Sequence, residues 1–222
     1  MSFFANDFID FFSELEKNNN KVWFDENKKR YEKYVKIPFI EFISEIILRV
    51  QEDDSLVNMN AKEAIFRINR DVRFSNDKSP YKSHTSAAIS AGGKKDFAYP
   101  GIYLELSHKG LGVYGGNYQP EKEQLYKIRI YIAEHLDEFQ RIINEKKFNK
   151  YFGTIQGEKN KKIPAEFVEI VKKEPLIANK QFYYVANFKS DLILKDNLSD
   201  FVMELYYIAK PLKDFLTNAL NS

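Results

Sequence analysis

The chain has 222 residues, of which 44% are hydrophobic and 30% charged, and its formal net charge is only +2. So near-neutral a balance argues against a generic nucleic-acid coat, which needs a broad basic surface. The absence of cysteine excludes disulfides, thiolate nucleophiles and cysteine-ligated zinc or iron–sulfur centres. The opening stretch MSFFANDFID is acidic and lacks the basic start of a signal peptide. No apolar run nears the ~18 residues that suggest a membrane span. A cytoplasmic protein with no membrane partner is the expectation.

Phe4, Phe8, Phe11, Phe12 and Leu15 recur at helical spacing, with Asp7, Asp10 and Glu14 on the other side. This predicts an amphipathic helix that docks through its phenylalanines. Asn18-Asn19-Asn20 punctuates, because asparagine tolerates turn geometry and caps helices well. A second helix is expected from Asn20, with Trp23, Asn27, Arg30, Tyr31 and Tyr34 along one side. Pro38 suits the first turn of a third, striped by Phe39, Phe42, Ile43, Ile46, Ile47 and Val50.

The period then changes to two. Residues 64–74, 84–91, 101–107 and 110–116 alternate as strands, and Ser107-His108-Lys109-Gly110 reads as a hairpin turn. Helical spacing returns from Glu121 as one long or broken stripe through Leu125, Ile128, Ile132, Leu136, Phe139, Ile142 and Ile143. The lysine-rich stretch 146–162 predicts a mobile, solvated connection with a short extended piece, residues 182–188 another strand, and residues 199–220 a closing helix open to a bend at Pro211. Helices, then strands, then helices describe an α+β fold. The expected architecture is a single domain over residues 1–222, with a central, mostly antiparallel sheet packed by N-terminal and C-terminal helices.

The densest cationic chemistry lies in RINRDVRFSNDKSPYK, residues 67–82. On a strand, Arg67, Asn69, Asp71 and Arg73 share one face, and Phe66, Ile68, Arg70, Val72 and Phe74 the other. Arg70 is then a cation in an apolar series. A buried guanidinium costs several kcal/mol unless it is paired and hydrogen-bonded, so it needs a carboxylate, carbonyls or a ligand. The turn chemistry of Ser75 to Pro80 is expected to curl Lys78, Tyr81 and Lys82 back towards the strand's end. Five cations (Arg67, Arg70, Arg73, Lys78 and Lys82) face two acids, Asp71 and Asp77. An anion site needs that surplus. The competing reading is structural bracing by neighbouring Arg and Asp side chains.

NNNKVWFDENKKRYE (18–32) and FRINRDVRFSNDKSPYKSH (66–84) resemble the family known as domain of unknown function 2461. YPGIYLELSHKGLGVYGGNYQPEKEQLYKIR (99–129) is similar to its middle portion, and IPAEF (163–167) to the approach to its last strand. The resemblance spans nearly the whole chain and is looser in the C-terminal third. It implies a site shared at Asn19, Trp23, Phe24, Lys28, Tyr31, Arg67, Arg70, Asp71, Arg73, Phe74, Ser75 and the run Asp77 to Lys82. It names no reaction.

Trp23, Lys28 and Tyr31 are candidates to line the same pocket, Trp23 by stacking on a planar ligand. A packing role competes for Trp23, and a turn or cap role for Asn19. Of the three histidines, His84 lies near enough to Lys82 to serve as acid or base. Gly110, Gly112, Gly115 and Gly116 alternate with apolar residues, which marks a bending hairpin or a close backbone approach rather than a phosphate loop. No HExxH, EF-hand or Walker pattern appears, and neither cofactor nor metal site is predicted, although a carboxylate-only magnesium site stays open. The first expectation is binding of an anionic, phosphate- or carboxylate-bearing small molecule. Arg67, Arg70 and Arg73 would hold it, Lys78 and Lys82 would close over it, and Asp71 would orient the arginines. Tyr81, His84 and Asp71 are the catalytic candidates. The alternatives are nucleic-acid or nucleotide binding, with Trp23, Phe74 or Tyr81 stacking on bases, and an interaction module in which the motif is an ion-pair scaffold.

Overall fold

Helix α1 (Asn6–Lys17) forms where the phenylalanine spacing places it, and Phe8, Phe11, Phe12 and Leu15 are fully buried. Burying each such side chain contributes about 1.5–3 kcal/mol. The protein is described by a computed structural model covering residues 2–222. Asn20 caps α2 (Lys21–Glu26) by accepting from the Trp23 N–H at 3.0 Å. Helix α3 (Lys28–Tyr31) continues through a π-helical turn, Glu32–Lys36, into α4 (Ile37–Asp53). Pro38 stands in the first turn of α4, and the predicted stripe from Phe39 to Val50 is buried.

The fold is α+β, with helices flanking a four-stranded antiparallel sheet in the order β1-β2-β3-β4. The strands are β1 (Thr85–Ile89), β2 (Ile102–Ser107), β3 (Gly110–Asn117) and β4 (Phe182–Phe188). The hairpin turn falls at His108-Lys109 as expected. Along β2, Ile102, Leu104 and Leu106 are buried while Tyr103 and Glu105 are half-buried. Gly110 has φ +143°, and a Cβ there would lie 1.8 Å from the Phe188 carbonyl oxygen. Gly116, at φ +98°, would meet the Phe182 oxygen at 2.1 Å. The glycines therefore let β4 approach β3, as the sequence reading holds.

The predicted strand 64–74 does not form. Residues 61–64 are a short helix, α5 (Ala61–Ala64), closed by a capping box between Asn60 and Glu63. Beyond it only isolated bridges occur, Ile65 to Ala87 and Asn69 to Tyr81. Side chains divert the backbone: Asp71 accepts from the Arg73 N–H at 3.3 Å and Asp77 from the Ser79 N–H at 2.9 Å, while Pro80 has no N–H to give.

The chain divides into two compact units, each assembled from separate stretches. The first comprises residues 1–89, 103–113 and 187–203; the second comprises residues 90–102, 114–186 and 204–222. In the second, the helical stripe breaks at His135 into α6 (Lys122–Glu134) and α7 (Leu136–Ile143). The expected solvated connection after residue 146 begins instead as α8 (Lys146–Phe152). Its Phe148 and Phe152, four apart, pack on Tyr184 at 5.5 and 4.7 Å, which outweighs the three lysines of the helix. Helix α9 (Val168–Lys173) and the 3-10 turn Pro175–Ala178 lead to β4, and α10 (Leu198–Asn221) carries Pro211 within it. Among the described residues no helix is long and apolar enough to cross a membrane.

Candidate functional site

In the first unit, residues 65–70 run antiparallel to residues 80–87 as an irregular ribbon. Phe66 N–H donates to Ser86 O at 2.9 Å, Lys82 N–H to Ile68 O at 2.8 Å, and Arg70 N–H to Pro80 O at 2.9 Å. The predicted alternation survives without the strand as far as Arg73: Arg67, Asn69, Asp71 and Arg73 are exposed, while Phe66, Ile68, Arg70 and Val72 are half-buried. It fails at Phe74, which is expected on the more buried side and is exposed.

Asn19 latches the ribbon. Its Nδ2 donates to Tyr81 O at 2.9 Å and its Oδ1 accepts from the Tyr81 N–H at 3.1 Å. The Tyr81 ring stacks on Phe24 with centroids 4.0 Å apart and is only 7% exposed. Phe24 packs on Phe11 and Tyr31, and Trp23 on Phe11 at 5.5 Å. Burial pushes the Tyr31 hydroxyl up to about 12. Trp23, Tyr31 and Tyr81 thus meet in one aromatic cluster, while Lys28 is exposed on α3.

The loop from 71 to 79 neutralises itself. Arg73 makes a fork with Asp71, Nε and Nη2 donating at 2.9 and 2.7 Å. That pairing draws the Asp71 carboxyl down to about 2. Arg70 pairs with Asp77, whose Oδ1 also accepts from the Ser79 hydroxyl at 2.6 Å. The Ser79 and Arg70 hydrogen bonds hold the Asp77 carboxyl well below the usual range. Lys78 donates to the Val72 carbonyl at 2.9 Å, and Phe74 at the tip is 96% exposed. Two of the three guanidinium groups are therefore occupied.

The third is not. Among the described residues Arg67 has no hydrogen-bonded or ion-paired partner, and its charge bears on Asp71 and Lys82. Lys82 is half-buried with Nζ 5.3 Å from the Phe66 ring centroid, and Phe66 lies 5.9 Å from the Tyr103 ring. His84 Nε2 is 3.5 Å from Glu105 Oε2. Burial pushes the Glu105 carboxyl up, against the pull of Lys82 and the Tyr103 hydrogen bond. It pushes His84 down to about 4, helped by the Lys82 charge. It also pushes Lys82 down, with Glu105 opposing and Arg67 assisting. Lys82 and His84 lie in the bend just before β1, close enough for the Lys82 charge to act on His84, and Glu105 of β2 bears on both.

Sequence reasoning misses Glu105. Its half-buried place between Leu104 and Leu106 reads as an outward strand residue, and no local signal announces a neighbour twenty-one positions back. Arg129 is also missed, although a signal exists: it stands four after Leu125 and three before Ile132, on the buried stripe of α6.

Fold and site together define an α+β protein with a basic ribbon held against an aromatic helix cluster. Residues 7–215 match the family described as Conserved hypothetical protein (DUF2461), so the chain belongs to that family, as the motifs at 18–32 and 66–84 imply. No curated protein and no solved structure matches it.

Proposed function

We propose that the first unit binds a small phosphate- or carboxylate-bearing anion at Arg67 and Lys82, beside His84 and Glu105. One observation carries the reading: the half-buried Lys82 feels the repelling charge of Arg67 and is opposed by Glu105, a carboxylate that burial drives towards its neutral form. A bound anion relieves the repulsion between Arg67 and Lys82, and Arg supplies a planar fork suited to either ligand class. His84, neutral at pH 7, offers a ring nitrogen that can hydrogen-bond to such a ligand. Arg70, Arg73 and Lys78 then shape the loop instead of holding the ligand, and the scaffold reading applies to them.

The test follows the His84 ring signals by NMR during titration with inorganic phosphate and citrate. A saturable shift is expected, weakened at least tenfold in Arg67→Ala and in Lys82→Met. A flat titration, or one unchanged by Arg67→Ala, removes the proposal.

A second reading is favoured by Phe74, whose ring is bare and lies 5.8 Å from the Arg73 guanidinium. An exposed aromatic on a basic loop suits stacking on a nucleotide or a single strand. Affinity for an oligonucleotide that falls steeply with salt, and that Phe74→Ala abolishes, selects this reading. A salt-insensitive response confined to small anions selects the first.

A further inference from the structure

Arg129, in α6 of the second unit, is 5% exposed. Its Nε donates to the Ile177 carbonyl at 2.8 Å and its Nη2 to the Asn179 carbonyl at 3.0 Å. Both acceptors are neutral. Among the described residues no carboxylate pairs with it. A guanidinium keeps its charge at every accessible pH and carries five N–H donors. The arrangement therefore leaves a buried positive charge without a counter-ion and donors to spare, a condition that folding alone does not favour.

The same side chain lines a hollow of ≈ 920 Å³. Lys122, Lys162 and Lys180 also line it, against one lining carboxylate, Glu123. Lys180 is engaged by Glu158 at 2.9 Å, whereas Lys122 and Lys162 are exposed with no pairing among the described residues. Tyr118 and Tyr126, 52% and 43% exposed, supply aromatic surface in the same hollow. Tyr118 is held edge-on by Tyr183 at 5.3 Å and Tyr126 by Phe167 at 5.7 Å. The volume is that of an ordinary small-molecule site, in which apolar surface gives area and a few polar groups fix orientation.

We propose that this hollow is a second ligand site, taking an organic phosphate or carboxylate with a flat, ring-bearing body. The anionic group reaches the free edge of Arg129 with Lys162 and Lys122 closing around it, while the ring lies against Tyr118 or Tyr126. The phosphate contributes the charge that the buried guanidinium lacks, and the tyrosines discriminate for a ring-bearing anion over a bare one.

Calorimetric titration of the full chain tests this with phenyl phosphate, using inorganic phosphate and phenol as controls. It is run in an Arg67→Ala/Lys82→Met background so that both ligand-holding cations of the first unit are removed. Phenyl phosphate is expected to bind at least tenfold more tightly than either control. Arg129→Gln and, independently, the surface double variant Lys122→Glu/Lys162→Glu should each weaken it tenfold or more. Tyr126→Ala should lower affinity for phenyl phosphate but not for inorganic phosphate. If Arg129→Gln does not fold, the lysine double variant decides. Equal affinity for phenyl phosphate and inorganic phosphate, or retention of binding in the lysine double variant, overturns the proposal.

Discussion

Arg73 and Arg129 carry the same side chain into opposite circumstances. Arg73 stands in an exposed loop, its fork filled by Asp71 two residues away. Arg129 is buried, answered only by two backbone carbonyls from a turn some fifty residues further along. The loop is where the sequence gathers most charge, yet its short separations let acids fold back onto the cations. The helix shows a single inconspicuous arginine, yet packing strips that residue of water and gives it no acid. Density of charge along a chain and lack of a counter-ion are thus different properties, and the second depends on burial.

Four changes break or sharpen the contrast, beginning with the one expected to matter most. Tyr81→Ala removes the ring stacked on Phe24 and should cost about 3–5 kcal/mol, read from the denaturant midpoint. A loss below about 1 kcal/mol would mean that the ribbon is not anchored through that ring. Lowering the pH should next expose the burial of His84. The unfolded chain binds a proton there below its ordinary 6.5, whereas the folded chain refuses it until about 4. Stability should therefore fall as pH drops through that window, by an upper bound on the order of 3 kcal/mol. Glu105 acts with the opposite sign: its raised value means that stability is lost as pH rises above the ordinary carboxylate range. His84→Gln should abolish the acid-side decline and leave the Glu105 slope, as melting temperature against pH between 4 and 7 will show.

Third, Arg129→Ala orphans the Ile177 and Asn179 carbonyls and should cost about 1–3 kcal/mol. Arg129→Met fills the same space without burying a charge, so it should cost less. A reversed order would show that the cation itself stabilises the ligand-free protein. Smallest of all, Asp71→Asn should leave the melting temperature where it was, because the pair with Arg73 is open to water. Any cooperative loss from that change would promote the loop from local brace to part of the core.

Much of the architecture was legible from periodicity. The stripes of α1 and α4, the hairpin at His108-Lys109 and the strand 182–188 all form where residue spacing places them, because burial of one face is enough to select period and length. The alternation at 67–73 was legible too, and Arg70 does lie on the more buried side. Its conversion into a regular strand was not, since Asp71 and Asp77 satisfy backbone donors that a ladder would otherwise use. In α8 the lysines obscured Phe148 and Phe152, whose spacing of four was the available clue.

The candidate site was only half legible. Lys82, His84 and Arg67 stand in the motif, but Glu105, which bears on Lys82 and His84, comes from β2. Sequence by itself determined the α+β class, the family and the location of the charged ribbon, because each follows from local spacing and residue type. Tertiary structure alone decided which cations are neutralised, that Glu105 meets His84, and that the buried Arg129 lines a hollow. Those outcomes depend on solvent exclusion and on partners distant in the chain, and neither is a property of any single stretch of residues.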